Sequence, residues 1–316
     1  MKESILAVVV SFNPHCEPLK LSLRELERQG CDCTIIDNGS ANLSEIESLV
    51  AGLNSTSLLS QKQNLGLGAA HNIGIKFAAN KNYDYVLLLD QDSHVLDNMV
   101  ANLAKAHQAK SLNNQVSAVG ATYLNNDNGS ESFFIRFGAL KFSRYYCHDK
   151  DSDGCIEADF LISSGSLLSI EAIESIGQMD ETLFIDHVDT EWFLRAKSKG
   201  FKAYGVCDAR MQHGLGEETH VVSFAGRQRN VPQHNAFRYY YIFRNSVLLY
   251  KRAYANNLWK WNDVQRLAMI AIMFGALKAP RLKNASMMCK GLIDGIRGIN
   301  GPMKDSSNDQ PLNQHD

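Results

Sequence analysis

The chain has 316 residues, 45% of them apolar, enough to bury one large core or two smaller ones and ordinary for a soluble globular protein. Its seven cysteines are odd in number and lack paired zinc-ligand spacing, which fits a reducing compartment better than a disulfide framework. The net charge of −2 conceals an asymmetry: residues 221–304 carry 14 basic and 2 acidic side chains, net +12 against −14 for the remainder, so one end suits an anionic membrane or polyanion.

Met1-Lys2-Glu3-Ser4 leads directly into a β-branched segment with no signal-peptide core, so a cytoplasmic protein is expected. Residues 5–10 form a continuous apolar strand stopped by Ser11-Phe12-Asn13-Pro14. Leu19, Leu21, Leu23 and Leu26 belong to a helix ending at Gly30. Cys31 and Cys33 flank the start of a second strand at 34–36, where apolar packing is a simpler role for them than metal binding. That strand closes on Asp37-Asn38-Gly39-Ser40. A helix over 42–53 and a short strand at 57–59 follow, and Asn64-Leu65-Gly66-Leu67-Gly68 opens a helix over 66–79. Residues 86–89 then run as a buried strand into Asp90-Gln91-Asp92-Ser93-His94.

Strands alternating with helices predict parallel β-α-β units, and ligands of such sheets gather at the carboxyl ends of the strands. If the strands are neighbours, the clusters at Ser11, Asp37 and Asp90 line one crevice. No glycine-rich loop follows the first strand, which argues against a nicotinamide enzyme and a sugar-activating nucleotidyltransferase. Side chains repeat every second residue along a strand, so Asp90 and Asp92 would point the same way. Such a pair invites a divalent cation, although a polar turn explains the same residues without one.

A further strand begins at 116–119, a loop occupies 125–130, and residues 131–157 carry no period that assigns them. A second organised region starts at 159–166 and continues as a helix over 170–176. It reaches Phe184-Ile185-Asp186-His187-Val188-Asp189 and the helix of Thr190, Glu191, Trp192, Phe193, Leu194 and Arg195. Asp189 is either a cap or a first-turn residue there, and Glu191 and Arg195 are i,i+4 partners. A strand at 202–207 leads to His213, a structural histidine or a ligand, and Gly214 and Gly216 make the segment to about 235 a candidate lid.

From residue 237 the chain combines aromatics with arginines, as in Phe237-Arg238-Tyr239-Tyr240-Tyr241-Ile242-Phe243-Arg244-Asn245. An apolar helix over 264–277 follows; its longest uncharged run, 267–277, is 11 residues, short of the ~20 that span a bilayer. Such a region either lies in a membrane interface or packs as a helical appendage. No nucleic-acid module is present. Residues 305–316 have the composition of a disordered tail.

Together these segments resemble the family 2 glycosyltransferases of GT-A fold, and among them the bacterial rhamnosyltransferases, over about residues 5–252. Val10-Ser11-Phe12-Asn13-Pro14 resembles the family's first nucleotide-binding turn, and Asp37-Asn38-Gly39-Ser40 is similar to its base-recognition turn. Asn64-Leu65-Gly66 and Asn72-Ile73-Gly74 match its N-x-G spacings, and Asp90-Gln91-Asp92-Ser93 stands at its metal-binding D-x-D. The stretch from Phe184 through Glu191 and Trp192 to Arg195 resembles its acceptor-side E-D-x-D-x-x-x-R motif, with Val188 in place of the first acid and Glu191 in place of the later Asp. Aligned on Arg195, Asp189 falls at the catalytic-base position, with Asp186 as the alternative.

The resemblance implies an α/β, Rossmann-like GT-A domain with a mostly parallel central sheet over 1–236, its donor half ending near 120. A basic, aromatic, helical and membrane-proximal region over 237–304 follows. It implies inverting transfer of L-rhamnose from dTDP-L-rhamnose to a hydroxyl of a lipid-linked surface polysaccharide, an O-antigen, capsule or cell-wall glycan intermediate. Ser11, Asn13, Asp37, Asn38, Asn64, Gly66, Asn72 and Asp90 would bind the donor. Asp92, Asp90 and His213 would hold Mg²⁺ or Mn²⁺, Asp189 would be the base, and Asp186, Glu191, Trp192 and Arg195 would support the acceptor side. The enzyme would sit peripherally on the inner face of the cytoplasmic membrane, with no nucleic acid as partner. The alternatives are a UDP-hexose transferase of the same fold and a non-catalytic nucleotide-sugar-binding partner protein.

Overall fold

The first apolar run becomes strand β1 (Ile5–Ser11), covered on both faces, as a central parallel strand must be. A computed structural model of the protein describes residues 3–125, 129–139, 141–151, 153–213, 219–224, 227–232 and 234–303; of 125, 213, 219–224 and 227–232 only the backbone is described. After β1 come α1 (Cys16–Arg28), β2 (Asp32–Asp37), α2 (Leu43–Val50), β3 (Thr56–Ser60), α3 (Leu67–Asn80), β4 (Tyr85–Asp90), β5 (Ser93–Val95) and α4 (Met99–Ser111). The chain continues through β6 (Val116–Asn125), β7 (Phe134–Phe137), β8 (Phe142–Tyr145), β9 (Cys155–Ala158), β10 (Ser166–Ser169), α5 (Ile170–Ile176), α6 (Val188–Ser198) and β11 (Lys202–His213).

The main sheet runs β3-β2-β1-β4-β10-β6-β11-β5, with β9 also paired to β11. β3, β2, β1 and β4 are parallel, as are β6 and β11, while β10 runs antiparallel between β4 and β6. The register fixes the site. Ser11 lies opposite Asp37, and Val10 lies opposite Asp90, so the three polar strand ends share one edge of the sheet. Helix α3 reaches β1 closely enough that a Cβ on Gly74 would lie 2.3 Å from Val8 Cγ1, which accounts for the glycine.

Two features of this half depart from the sequence reading. Residues 131–157, without a readable period, form the hairpin of β7 and β8 and the strand β9. Cys147 and Cys207 are joined in a disulfide, Cα to Cα 5.5 Å, whereas the scattered cysteines predict none. Their separation of 60 residues is closed by topology, which linear spacing cannot reveal.

The backbone divides into two compact units, residues 1–181 with 188–213, and 182–187 with 214–316. By compactness the break falls after His213, ahead of the boundary expected at 236/237. The second unit contains the hairpin β12 (Thr219–Phe224) and β13 (Arg227–Pro232), within the segment expected as a lid. The helices α7 (Ala236–Tyr250), α8 (Asn257–Ile270) with a π-helical extension (Ala271–Leu277), and α9 (Arg281–Arg297) follow. Gly291 and Gly295 bring α9 against α7: Cβ atoms there would lie 2.4 Å from the Tyr240 carbonyl oxygen and 2.8 Å from that of Arg244. No helix among the described residues is long and apolar enough to cross a membrane. The expected tail, 305–316, lies outside the described residues.

In the second unit, α7 secures the segment 182–187. The amide of Asn245 donates to the carbonyls of Leu183, Ile185 and Asp186 at 3.0, 2.8 and 2.9 Å. Arg244, fully buried, donates to Leu183 O at 2.9 Å and to Gly301 O, and lies over the Tyr241 ring.

Replacing Gly74 by Ala should destabilise the protein by about 1–3 kcal/mol, because Val8 is fully buried and the added methyl overpacks it. A urea midpoint equal to wild type would refute that packing. Burial lowers His71, His107 and His187 from 6.5 to about 4 each, so they fold neutral while the unfolded chain binds their protons. Their contribution is complete above pH ~6.5 and is lost as pH falls toward 4, at up to about 4 kcal/mol per pH unit for the three. Melting followed from pH 7.5 to 5 should show a steep loss; a flat profile would contradict it.

Candidate active site

The nucleotide-side expectations meet at the carboxyl ends of β1 and β2. Asp37, fully buried, accepts from the amides of Gly39 and Ser40 at 3.3 and 3.1 Å and from the hydroxyls of Ser40 and Ser11. The turn therefore forms around the carboxylate and satisfies it. Asn13, at φ 47°, accepts from Ala41 N through its side chain at 2.7 Å, and its own N–H donates to Ser40 Oγ at 2.8 Å. Asn38 links this turn to the start of α3, accepting from Leu65 N at 2.9 Å and donating to Asn64 Oδ1 at 3.0 Å. Asn64 Oδ1 also accepts from Gly66 N at 2.9 Å, and Gly66 takes φ 88° at the mouth of the helix. Asn72 is engaged elsewhere. Its amide donates to Met179 O and Glu181 Oε1, and its oxygen accepts from Met179 N at 2.9 Å. It fastens α3 to the segment behind α5.

The D-x-D segment is not a continued strand. β4 ends at Asp90, and Gln91 and Asp92 turn the chain into β5, so alternation along a strand does not align the two carboxylates. Asp90 is half-buried and Asp92 exposed. The turn is held by residues that motif reading missed. Gln91 Oε1 accepts from Phe12 N at 2.7 Å, tying the D-x-D to the end of β1. Ser164 Oγ accepts from Asp90 N at 3.0 Å and lies 2.6 Å from Ser93 Oγ. The Ser163-Ser164-Gly165-Ser166 stretch, polar but buried just before β10, was the available signal. His213 ends β11 with its backbone opposite Ser93, next to Asp92 in the chain; its ring lies outside the described side chains. Among the described residues no three His, Cys, Asp or Glu side chains stand together as a metal cluster.

Asp189 is the second residue of α6, inside its first turn rather than its cap, and half-buried. Its Oδ1 accepts from Thr190 N at 2.7 Å. Tyr123, on β6, shows what lies around it. Burial first, and then the carboxylates of Asp90 and Asp189, push its phenol well above the ordinary range. The field of both acids therefore reaches one hydroxyl, which donates to Ser164 O. Through Ser164, Tyr123 is tied to the end of β4.

The other acceptor-side residues support the backbone. Glu191, nearly fully buried, forms a two-point ion pair with Arg195 at 2.8 and 2.9 Å. Arg195 also donates to Ile176 O and Gln178 O, and Trp192 Nε1 donates to Gly177 O at 2.7 Å. Trp192 and Arg195 fasten α6 to the end of α5 and the turn after it, and Glu191 orients the guanidinium that does so. Asp186 belongs to the second unit, where Arg238 donates to both its oxygens at 2.7 and 3.3 Å. Burial pushes Asp186 up, but the Arg238 guanidinium overrides it and holds the carboxyl below its usual range.

With this geometry in place, comparison with known proteins is informative. Residues 7–177, more than half of the chain, match the family described as "Glycosyl transferase family 2". The chain is 28% identical to the dTDP-rhamnosyl transferase RfbF of Shigella flexneri, over 95% of this chain and 98% of that protein. It is 26% identical to the galactofuranosyltransferase GlfT1 of Mycobacterium tuberculosis, over 78% of this chain and 81% of that one. The crystal structure of GalNAc-T7 with UDP, GalNAc and Mn²⁺ shares the fold at TM-score 0.57 and 15% identity; the match covers 94% of this chain and 56% of that structure. The chain belongs to glycosyl transferase family 2 and has its GT-A fold.

Proposed function

We propose that this glycosyltransferase moves L-rhamnose from dTDP-L-rhamnose to a hydroxyl of a lipid-linked surface glycan, with inversion at the anomeric carbon. The observation that carries the mechanism is the hydrogen-bonded path from the Tyr123 hydroxyl to Ser164 and from Ser164 Oγ to the Asp90 amide, with the charges of Asp90 and Asp189 both acting on that phenol. Likeness to a dTDP-rhamnosyl transferase along nearly the whole chain supports the donor. In this reading the turns built on Ser11, Asn13, Asp37, Asn38, Asn64 and Gly66 receive the nucleotide, and Asn72 holds α3 in position beneath them.

Asp92 and Asp90, with His213, would hold Mg²⁺ or Mn²⁺; two hard carboxylates leave room for diphosphate oxygens, which such ions favour. A bound cation supplies positive charge against the departing diphosphate. Asp189 takes the proton of the acceptor hydroxyl as that oxygen attacks the anomeric carbon from the face opposite the leaving group. Glu191, Trp192 and Arg195 keep α6 fixed so that the carboxylate meets the acceptor in one geometry. Asp186, already engaged by Arg238, is the weaker candidate for the base.

The second unit supplies the place of reaction, the inner face of the cytoplasmic membrane. Leu258, Trp261, Val264, Met269 and Ile272 are all exposed and recur at helical spacing along α8 and its extension. Lys278, Arg281 and Lys283 follow directly, a combination suited to an anionic bilayer surface.

Calorimetry should show dTDP bound in preference to UDP and GDP, more tightly with Mn²⁺. Asp189→Asn should lose transfer by about 10²-fold or more while retaining that binding. Preference for UDP would move the donor to a UDP-sugar, and near-normal turnover by the variant would remove Asp189 as base. The full chain should sediment with anionic vesicles at low salt, and Trp261→Ser with Ile272→Ser should weaken this severalfold. Equal sedimentation of wild type and double variant would remove the helix face from the membrane contact.

A further inference from the structure

The first unit has a partly open cavity of about 250 Å³ that the proposed mechanism leaves unused. Its walls are Gly120 and Tyr123 of β6, Phe133 just before β7, and Phe160, Leu161 and Ile162 between β9 and β10. The rings are held from outside: the Arg144 guanidinium lies 4.3 Å from the Phe133 ring centroid, and Phe137 stacks on Phe160 at 5.9 Å. Leu161 packs closely on Gly120, where a Cβ would lie 3.0 Å from its Cδ1. The hydroxyls at its rim already have partners. Ser132 Oγ accepts from Tyr123 N at 2.9 Å, and Ser166 Oγ donates to Ile162 O at 2.6 Å. The cavity therefore offers ring faces and alkyl groups more than hydrogen bonds.

Tyr123 joins this cavity to the candidate active site. Its ring is part of the wall, its hydroxyl donates to Ser164 O, and Ser164 Oγ accepts from the Asp90 amide at 3.0 Å. A single residue thus separates the cavity wall from the D-x-D strand end. The volume is below the ~300 Å³ at which drug-sized ligands begin to fit, which suits one sugar ring and excludes a nucleotide. A pyranose presents an apolar C–H face, and aromatic side chains are the usual surface for burying one. No wall comes from β1, β2, β3 or β4, the strands whose ends carry the nucleotide turns, so the donor sugar is the poorer occupant.

We propose that this cavity seats the accepting saccharide ring, its C–H face against Phe133 and Phe160, with Tyr123 as the wall nearest the reacting groups. The assignment rests on the glycosyl-transfer reading for its role, but the binding it requires does not depend on the identity of the donor. It makes Phe133 and Phe160 determinants of acceptor specificity that belong to none of the sequence motifs.

Saturation-transfer NMR on the full chain tests it, with methyl α-L-rhamnopyranoside, methyl β-D-glucopyranoside, n-hexanol and dTDP as probes. Ring protons of at least one glycoside should be saturated. That signal should fall by about fivefold or more in Phe160→Ala and in the surface variant Ile162→Asp, with dTDP saturation unchanged. Ile162 is 48% exposed, so its replacement keeps the test meaningful if Phe160→Ala fails to fold. A glycoside signal that survives in the folded variants, the absence of any glycoside signal, or binding of n-hexanol in place of the glycosides would each overturn the proposal. Glycoside binding with the expected variant losses but no dTDP binding would leave the cavity assignment standing and count against the donor reading.

Discussion

The pairing of β1 with β2 on one side and β4 on the other constrains everything else in the first unit. The three strands are mostly apolar and buried, so their acidic and amide residues gather where they end, and their parallel register makes those ends coincide. Ser11, Asp37 and Asp90 are consequently delivered to one edge before any of them acquires a function. Helices crossing the faces, with Gly74 letting α3 pack closely on Val8, keep the strands in that register.

What lies at that edge is preorganised. The carboxylate of Asp37 is enclosed by its own turn, Gln91 ties the D-x-D turn to the end of β1, and Ser164 holds Asp90 from the loop before β10. Buried polar groups that lack partners cost about 1–3 kcal/mol each, and here the partners come from neighbouring functional turns. The same hydrogen bonds that stabilise the fold therefore fix the geometry of the site. Asp189 arrives by a different route, at the start of a helix fastened by Glu191, Trp192 and Arg195. These three residues look like chemistry in the motif, but Trp192 and Arg195 donate to backbone carbonyls and Glu191 holds the Arg195 guanidinium.

The second unit follows the same rule with harder material. Phe184, Asp186 and His187 adopt φ of 65°, 60° and 63°, a region non-glycine residues avoid at about 1–2 kcal/mol each. The carbonyls of this segment are collected by Asn245 and Arg244, and Asp186 is held by Arg238. The arginine-asparagine pair on α7, conspicuous in the sequence among tyrosines, is the device that keeps the conformation. Buried Asp263, pushed up by burial but drawn below its usual range by Arg266, accepts from the Tyr250 hydroxyl of α7 at 2.7 Å and so anchors α8 to it.

The sequence by itself determined the alternation of strands and helices, the three polar strand ends and the motif that holds Asp189. Each is a local pattern, set by apolar runs, turn residues or helix spacing, and such patterns survive in one dimension. Tertiary structure alone decided the rest. It turned the D-x-D at Asp90 instead of extending it, drew Gln91 and Ser164 into the site, paired Cys147 with Cys207, and gave Asn72 to Met179 and Glu181. It also formed an aromatic cavity from parts of 120–123, 132–135 and 160–162, the middle stretch lying where no period could be read. These features depend on which distant backbone atoms become neighbours, and on the requirement that buried polar groups find partners wherever the fold supplies them.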